Sequence, residues 1–446
     1  MNKPKPEPHL CTQTGQTLPP SEPVTAPSIQ PVPGWVPTAA ETKEPDVVVT
    51  GYKVRIPSLN REIVDTHPIA KAIELADQLK LAVGRPINVG IDGMAFGMLS
   101  LGTGDDANWD RSHPRVDQLS VTIYALEGIV PIGPLRLGNH HRFVKQVLFR
   151  DVDIGAHPYS ENGIWNEGPV GNLGFDNCSV TPRLVNTAVV HPNTVVQLGS
   201  GWRDLFVRNW RRGSRKGVAI RPGDHVFYPK GGGDARFIGC DLGGANRTGI
   251  NWRPHPKTAQ FPASPKFGGK LLIDGCFADD PGWGHDDGTE DSKAGGAVIT
   301  LWQTHQEAVV RNTRIANARY GCFAAVAQPE SATNANYYVP GTNFTHADLH
   351  LIDNYWENVD GDRFTAELSC VQSARLWGRN SYIGRGMTID SYAVNGAWGQ
   401  ARSDDVKHMV ASTEEANAIS RMNHSRWSHD DRWEPVSPDL VRIPRN

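Results

Sequence analysis

The sequence predicts an all-β protein built from stacked repeats, because one four-residue pattern recurs seven times between residues 149 and 355. Each copy has an apolar residue, an arbitrary residue, an Asp, Asn or Gly, and then a core-type residue. Asp, Asn and Gly tolerate a positive φ most readily, so a backbone bend is expected at the same place in every copy. Repeats of this size, each one supersecondary unit, stack into solenoids. The copies begin at Phe149, Phe175, Val207, Phe237, Ile273, Val310 and Ile352.

The columns of this pattern indicate strands, because apolar and polar residues alternate over short runs. The first column is apolar throughout and should face the core. With strands ~4.8 Å apart, the second column should form a ladder of exposed ion pairs, each contributing about 0–1 kcal/mol. The third column is either a ladder of stacked Asn side chains or a run of left-handed turns. The second column reads Arg150, Asp176, Arg208, Ile238, Asp274, Arg311 and Asp353.

Residues 1–46 form a proline-rich segment that is predicted to be extended. They contain eleven prolines and, apart from Trp35, almost no large apolar residue. Such a composition cannot bury enough surface to fold alone, and it favours polyproline II structure. The segment is either a disordered tail or an arm that becomes ordered on a partner surface.

Residues 47–84 are predicted to be a linker followed by a helix from His67 to Ala82. Pro68 suits the first helical turn. A solenoid needs its open end covered, so this helix is interpreted as an N-terminal cap. The apolar face that the spacing predicts consists of Ile69, Ile73, Leu75, Leu79 and Leu81.

Residues 85–400 are predicted to be the repetitive body, and residues 401–446 a C-terminal capping or interaction tail. A second landmark follows the bend in most repeats, namely a glycine before a short apolar segment, which predicts a second strand entered through a glycine turn. The repeat from Asn177 lacks this glycine and has Asn186-Thr187-Ala188 instead. The glycines are Gly163, Gly217, Gly249, Gly296 and Gly321.

Composition excludes several classes of partner and site. The net charge of −3 gives no argument for nucleic acid or membranes, and no apolar run reaches transmembrane length. Cys178, Cys240 and Cys276 share the fourth column, which predicts a stack of reduced, buried thiols. No Cys or His spacing fits a metal site. Residues 1–30 lack the apolar stretch of a signal peptide, so synthesis in a cytoplasm is expected.

The repeat pattern resembles the right-handed parallel β-helix superfamily, which includes pectate-lyase-like enzymes and phage tailspikes. The resemblance covers residues 85–400 and implies a single-stranded parallel β-helix solenoid. It also implies a phage or phage-like virion component, such as a decoration, fibre or tailspike protein. Residues 1–46 would anchor it to other particle subunits, and its body would bind a surface polysaccharide. Phage β-helices are commonly homotrimers. The alternative that the resemblance leaves open is a polysaccharide lyase or glycoside hydrolase.

The loop at residues 279–292 holds six acids and is the first candidate for chemistry, although a solvated acidic loop is the competing interpretation. It offers carboxylates for calcium, the one cofactor considered, and for glycoside hydrolysis. The candidate catalytic acids are Asp286, Asp287 and Glu290. The candidate calcium ligands are Asp279, Asp280 and Asp286. Trp283 and Trp302 are the candidate carbohydrate platforms.

A basic cluster in one repeat has two interpretations. It could supply the base of a lyase, or it could be a charged contact on the surface, which is the preferred interpretation because no lyase motif can be placed on it. The cluster consists of Arg203, Arg208, Arg211, Arg212, Arg215 and Lys216. Nucleotide-binding, zincin and α/β-hydrolase motifs are absent from the sequence.

Overall fold

The computed structural model describes residues 35–37, 44–101, 119–137, 144–158, 160–166, 170–198, 202–229, 233–252, 270–279, 298–302, 307–316, 323–326, 347–352, 354–357, 366–371, 374–379, 382–383 and 387–389. It contains a 3-10 helix, Pro57–Leu59, and helix α1, Pro68–Gln78. Among the described helices, none is both long and apolar enough to cross a bilayer.

The strands are short and follow one another closely along the chain. The first half comprises β1 Val47–Gly51, β2 Lys53–Ile56, β3 Arg61–Val64, β4 Ile87–Ala95, β5 Leu99–Leu101, β6 Leu119–Ala125, β7 Val130–Ile132, β8 Leu135–Leu137, β9 Val144–Arg150, β10 Val152–Gly155, β11 Asn162–Asn166, β12 Val170–Asp176, β13 Ser179–Thr181, β14 Arg183–Val185, β15 Ala188–Val190, β16 Thr194–Leu198 and β17 Trp202–Arg208. The second half comprises β18 Ser214–Arg215, β19 Val218–Ala219, β20 His225–Pro229, β21 Asp234–Ile238, β22 Thr248–Trp252, β23 Lys270–Asp274, β24 Phe277–Asp279, β25 Ile299–Trp302, β26 Glu307–Arg311, β27 Arg314–Ala316, β28 Phe323–Val326, β29 Ala347–Ile352, β30 Tyr355–Glu357, β31 Ala366–Val371, β32 Ala374–Arg379, β33 Tyr382–Ile383 and β34 Met387–Ile389.

Most of these strands pair in parallel, and successive repeats place their strands side by side. The long sheet has the order β13-β10-β7-β4-β6-β9-β12-β17-β21-β23-β26-β29-β32, and β1, β2 and β3 extend it from β4. The second sheet has the order β34-β31-β28-β25-β22-β20-β16-β11-β8-β5, and a short sheet has the order β24-β27-β30-β33. Two antiparallel hairpins, β14-β15 and β18-β19, lie outside these sheets. The prediction of an all-β protein with parallel sheets is confirmed.

The recurring bend is a left-handed turn that directly follows six strands of the long sheet, namely β9, β12, β17, β21, β23 and β26. Of the two interpretations of the third column, the run of left-handed turns is therefore the one observed. Six third-column residues have φ between 51° and 61°, namely Asp151, Asn177, Asn209, Gly239, Gly275 and Asn312.

In the structure, the seventh copy of the pattern begins one residue earlier than the sequence predicts. Leu351, not Ile352, is the register partner of Val310, and Ile352 pairs with Arg311. Ile352 therefore occupies the charged column in this copy, and Asp353, the residue predicted there, lies outside the described residues. Asn354 lies instead in the buried fourth column. Its amide accepts a hydrogen bond from the Thr313 backbone N–H at 3.0 Å and donates one to the Val310 carbonyl at 2.8 Å.

The predicted ladder of charged side chains is present, but its carboxylates are buried rather than exposed. Asp176 lies between Arg150 and Arg208, with N···O distances of 3.0 and 2.6 Å, and its side chain is 6% exposed. Asp274 pairs with Arg311 at 2.6 Å and is 4% exposed. Loss of one of these carboxylates would leave a partly buried charge without its partner, so it should cost more than loss of a surface pair.

The second landmark has a different physical cause from the predicted glycine turn. Gly163 lies inside β11 and Gly249 inside β22, and a Cβ at either position would come within 2.6 Å of a backbone carbonyl oxygen. Glycine is thus required there by the close approach of a neighbouring chain segment. At Gly217 the prediction of a second-sheet strand is wrong, because this residue forms the turn of the hairpin β18-β19.

Helix α1 packs against β1, β4 and β5, and the predicted burial of Ile69, Ile73 and Leu75 is confirmed. Ile69, Ala72, Ile73 and Ala76 are buried in the main core, whereas Leu79 is 40% exposed because the helix ends at Gln78. Strand β1, which pairs in parallel with β4, and the antiparallel strands β2 and β3 that follow it lie in the segment that the sequence predicts to be a linker.

The three fourth-column cysteines are buried free thiols. Desolvation by burial raises the pKa of both Cys178 and Cys276, so thiolate formation is suppressed. We expect Cys178, Cys240 and Cys276 to remain unmodified by a maleimide in the native protein and to react after denaturation. Peptide mapping by mass spectrometry, with and without denaturant, measures this. Equal labelling of these peptides in both conditions would contradict the buried stack.

Candidate functional site

The acidic loop predicted as a site lies mostly outside the described residues. This applies to Asp280, Trp283, Asp286, Asp287 and Glu290. The backbones of Asp279 and Trp302 lie in β24 and β25, respectively. The predicted catalytic, calcium and carbohydrate roles of these residues stay predictions.

The basic cluster is largely engaged in structural contacts within the chain. Arg208 pairs with Asp176, Arg211 with Asp153 at 2.8 Å, and Arg212 with Asp241 at 3.0 Å. Arg215 donates to the Pro182 carbonyl at 3.2 Å. These contacts favour the interpretation of the cluster as a charged contact over that of a catalytic base.

A different group of polar side chains surrounds a cleft of about 140 Å³ beside the second sheet. One wall is the loop between β10 and β11, and the other consists of the hairpin β14-β15 and the residues that lead into β16. The cleft is lined by Ala156, His157, Ser160, Glu161, Asn162, Arg183, Val190, His191, Pro192 and Asn193. We call it the polar cleft.

Local hydrogen bonds fix the first wall of the polar cleft. The His157 backbone N–H donates to the Gly163 carbonyl at 3.0 Å, and the Asn162 N–H donates to Ser160 Oγ at 3.0 Å. Arg183 reaches across from β14, and its Nη1 donates to the Pro158 carbonyl at 2.6 Å. This bond holds the guanidinium at the edge of the cleft. An Arg side chain has five N–H donors, so others can donate to a ligand in the cleft.

Glu161 connects the two walls. Its backbone carbonyl accepts from the Asn193 N–H at 2.6 Å, and its Oε2 accepts from Asn193 Nδ2 at 2.8 Å. This carboxylate is therefore oriented by an amide from the next repeat and keeps a second oxygen for other hydrogen bonds.

His191 contributes a neutral imidazole to the polar cleft. Its Nδ1 accepts a hydrogen bond from the Arg221 backbone N–H at 3.2 Å. Burial and the positive charge of Arg221 lower the pKa of His191, so the neutral form prevails at neutral pH. Because Nδ1 is an acceptor, Nε2 carries the hydrogen and is the donor of this ring.

A half-buried indole, that of Trp165, lies near the cleft. It packs edge-on against the His157 ring at 6.4 Å, and the Arg136 guanidinium lies 5.6 Å from its centroid. The indoles of Trp202, Trp210 and Trp252 are instead buried in the core. Of these four tryptophans, Trp165 is therefore the one beside a polar cavity.

The arrangement provides hydrogen-bond donors and acceptors of both kinds, one carboxylate and one guanidinium. In the part of the chain that the structure describes, no three His, Cys, Asp or Glu side chains are grouped to hold a metal ion. The cleft thus offers hydrogen-bond donors and acceptors to a polar ligand.

Sequence reasoning did not predict the polar cleft, although one signal pointed to it. The repeat from Asn177 lacks the glycine landmark, and the hairpin β14-β15 takes its place. Asn186 and Thr187 form its two-residue turn with φ of 48° and 71°. This hairpin is an insertion into the repeat, and it places Arg183 at the polar cleft.

Neither a protein-family model, nor a curated protein, nor a solved structure matches this chain. The interpretation of the polar cleft therefore depends on the chemistry of its own residues.

Proposed function

We propose that this chain is a right-handed parallel β-helix protein of a phage or phage-like particle, and that its polar cleft binds a surface polysaccharide. The fold is supported by the parallel register that joins each repeat to the next along the long and second sheets. A role in a particle is supported by the proline-rich segment at residues 1–46, whose composition suits an extended attachment to other subunits.

The observation that carries glycan binding is the composition of the polar cleft. A saccharide presents many hydroxyl groups that both donate and accept hydrogen bonds. Glu161 accepts, Arg183 donates, and the amides of Asn162 and Asn193 do both. Trp165 adds a partly exposed aromatic surface of the kind that packs on a sugar ring.

The test is binding of purified protein to an array of bacterial surface polysaccharides, followed by titration of any that bind. Arg183→Ala is expected to weaken binding about 10- to 100-fold, the equivalent of a hydrogen bond from a charged donor. Arg215→Ala is the matched control, since Arg215 also donates Nη1 to a proline carbonyl but does not line the cleft. Equal binding by the Arg183→Ala variant and the wild type would exclude the cleft as the glycan site.

The particle role has its own test. Electron microscopy should compare native particles that contain or lack this chain, with residues 1–46 located by a label. Residues 1–46 inserted in a capsid or tail, with the body outside, are the expected result. A free monomer absent from particles would contradict the role.

A second function, a polysaccharide lyase or glycoside hydrolase, is favoured by one observation. An oriented carboxylate, a guanidinium and a neutral imidazole line the same cleft, and such groups can serve general acid–base catalysis. If the cleft is catalytic, Glu161→Gln should abolish depolymerisation and retain binding. Release of reducing ends or of unsaturated product from a bound polysaccharide distinguishes an enzyme from a binding protein.

A further inference from the structure

The segment around Trp35 occupies a shaped site on the outer side of the long sheet. Its indole lies over Gly174, where a Cβ would come within 2.8 Å of Trp35 Cη2 and 2.7 Å of Leu148 Cδ1. The Phe206 ring packs edge-on against the indole at 6.3 Å. Because residue 174 has no side chain, the surface of the sheet is open at this position, and the indole occupies that space.

The backbone of Trp35 is held on both sides. Its N–H is hydrogen-bonded to the Asp204 carboxylate, and its carbonyl accepts from Arg236 Nη1 at 3.2 Å. Phe206 is 1% exposed although it lies outside the main core, so it is covered on the outer face of the sheet. An aromatic anchor with hydrogen bonds at both flanking backbone groups is the form of a peptide-binding site.

The sequence of the segment suits recognition as an extended peptide. Prolines at 31, 33 and 37 flank the anchor and restrict the backbone before binding. A preorganised segment loses less conformational entropy when it docks. Val36, by contrast, is 48% exposed, so the indole and the backbone make the contact.

The tether that holds the anchor is longer than docking on its own chain requires. Asp46 is fixed beside Asn88, which lies in the same column as Leu148 and Gly174. From β1 to β12 there are four strand spacings, or about 19 Å. The chain from Trp35 to Asp46 spans up to about 36 Å when extended. The tether is therefore nearly twice as long as docking on its own chain requires, which is the slack that an exchange between subunits would use.

We propose that the site formed by Leu148, Gly174, Asp204, Phe206 and Arg236 also binds the Trp35 segment of a second copy of this chain, so that subunits join by exchanging this segment. The inference rests on the proposal that residues 1–46 connect subunits. It does not depend on glycan binding in the polar cleft.

Two full-length variants test the exchange by complementation. Trp35→Ala keeps the site and loses the anchor, whereas Gly174→Ala keeps the anchor and fills its seat with a methyl group that meets only side chains. Neither variant can form the contact alone. When mixed with different affinity tags, the two should copurify through the anchor of one chain and the site of the other. Val36→Ala is the matched control and should behave as the wild type.

The double variant Trp35→Ala/Gly174→Ala supplies the outcome that would overturn the proposal. It lacks both halves, so mixing it with either single variant should give no copurification. Copurification that persists with it, or a Trp35→Ala and Gly174→Ala mixture that stays monomeric in analytical ultracentrifugation, would show that the segment does not join subunits.

A second measurement guards against misfolded variants. A fluorescent peptide of residues 30–41 should bind the full-length Trp35→Ala protein, and binding should fall at least tenfold when the peptide carries Ala at residue 35. Loss of peptide binding together with retained glycan binding would reject the exchange and leave the polysaccharide proposal standing. Retained peptide binding together with no glycan binding would reject the polysaccharide proposal alone.

Discussion

Replacing Asp176 by Ala is expected to lower the free energy of unfolding by about 3–5 kcal/mol, the cost of breaking a buried ion pair. The carboxylate accepts from Arg150 Nε at 3.0 Å and from Arg208 Nε and Nη2 at 2.8 and 2.6 Å. Arg150 is itself only 14% exposed. Without the carboxylate, the two guanidinium groups on β9 and β17, the strands on either side of β12, have no compensating charge between them.

The measurement is equilibrium urea unfolding followed by circular dichroism, with Asp176→Asn beside Asp176→Ala. The amide keeps the volume of the carboxylate and removes its charge, so a similar loss in both variants assigns the effect to charge. Asp77→Asn is the control, because Asp77 pairs with Lys80 on the exposed side of α1 and should cost about 0–1 kcal/mol. If the Asp176 variants lose no more than this control, the ladder does not stabilise the stack of strands.

The bend could be predicted from the sequence because its cause is local. Asp, Asn and Gly differ from other residues in the cost of a positive φ, and that difference is a property of one residue. The seventh copy could not be aligned in the same way. Ile352-Asp353-Asn354-Tyr355 fits the pattern, yet pairing with β26 places Leu351 opposite Val310. A one-residue slip exchanges the two faces of a strand, but Leu351 and Ile352 are both apolar, so the four-residue pattern accepts either of them as its first residue.

Asn354 shows why the slip is tolerated. Its amide occupies the column that Cys178, Cys240 and Cys276 fill in earlier repeats, where the thiols contact backbone carbonyls of the preceding repeat. The amide makes the same kind of contact with the Val310 carbonyl and adds an acceptor for the Thr313 N–H. A buried amide with these partners has no large desolvation cost.

The polar cleft could not be predicted from the sequence because its residues come from segments that leave the repeat. His157 and Glu161 lie in the loop before β11, whereas Arg183 comes from a hairpin and His191 from the residues after it. Nothing in residue spacing relates these positions. The six acids at residues 279–292, by contrast, are close together in the sequence and can be found there directly.

Phe227→Ala is expected to be the second severe substitution, with a loss of about 3–5 kcal/mol, because it opens a cavity between two sheets. Phe227 belongs to β20 of the second sheet and is fully buried. Its ring lies 5.0 Å from that of Phe237 in the long sheet and 5.0 Å from Trp210 at the bend. The ring therefore contacts the residue after the bend in its own repeat and the long-sheet strand of the next repeat.

Hydrogen exchange distinguishes this cavity from a general loss of stability. Because stability in stacked repeats is a sum of nearest-neighbour terms, exchange should rise first in β20 and in its partners β16 and β22. Phe227→Leu should lose less, since it keeps most of the apolar volume, and Val64→Ala should stay within about 0.5 kcal/mol, because Val64 is an exposed surface residue. Uniform exchange across all strands in Phe227→Ala would mean that the repeats unfold as one unit and that the ring stabilises the whole stack.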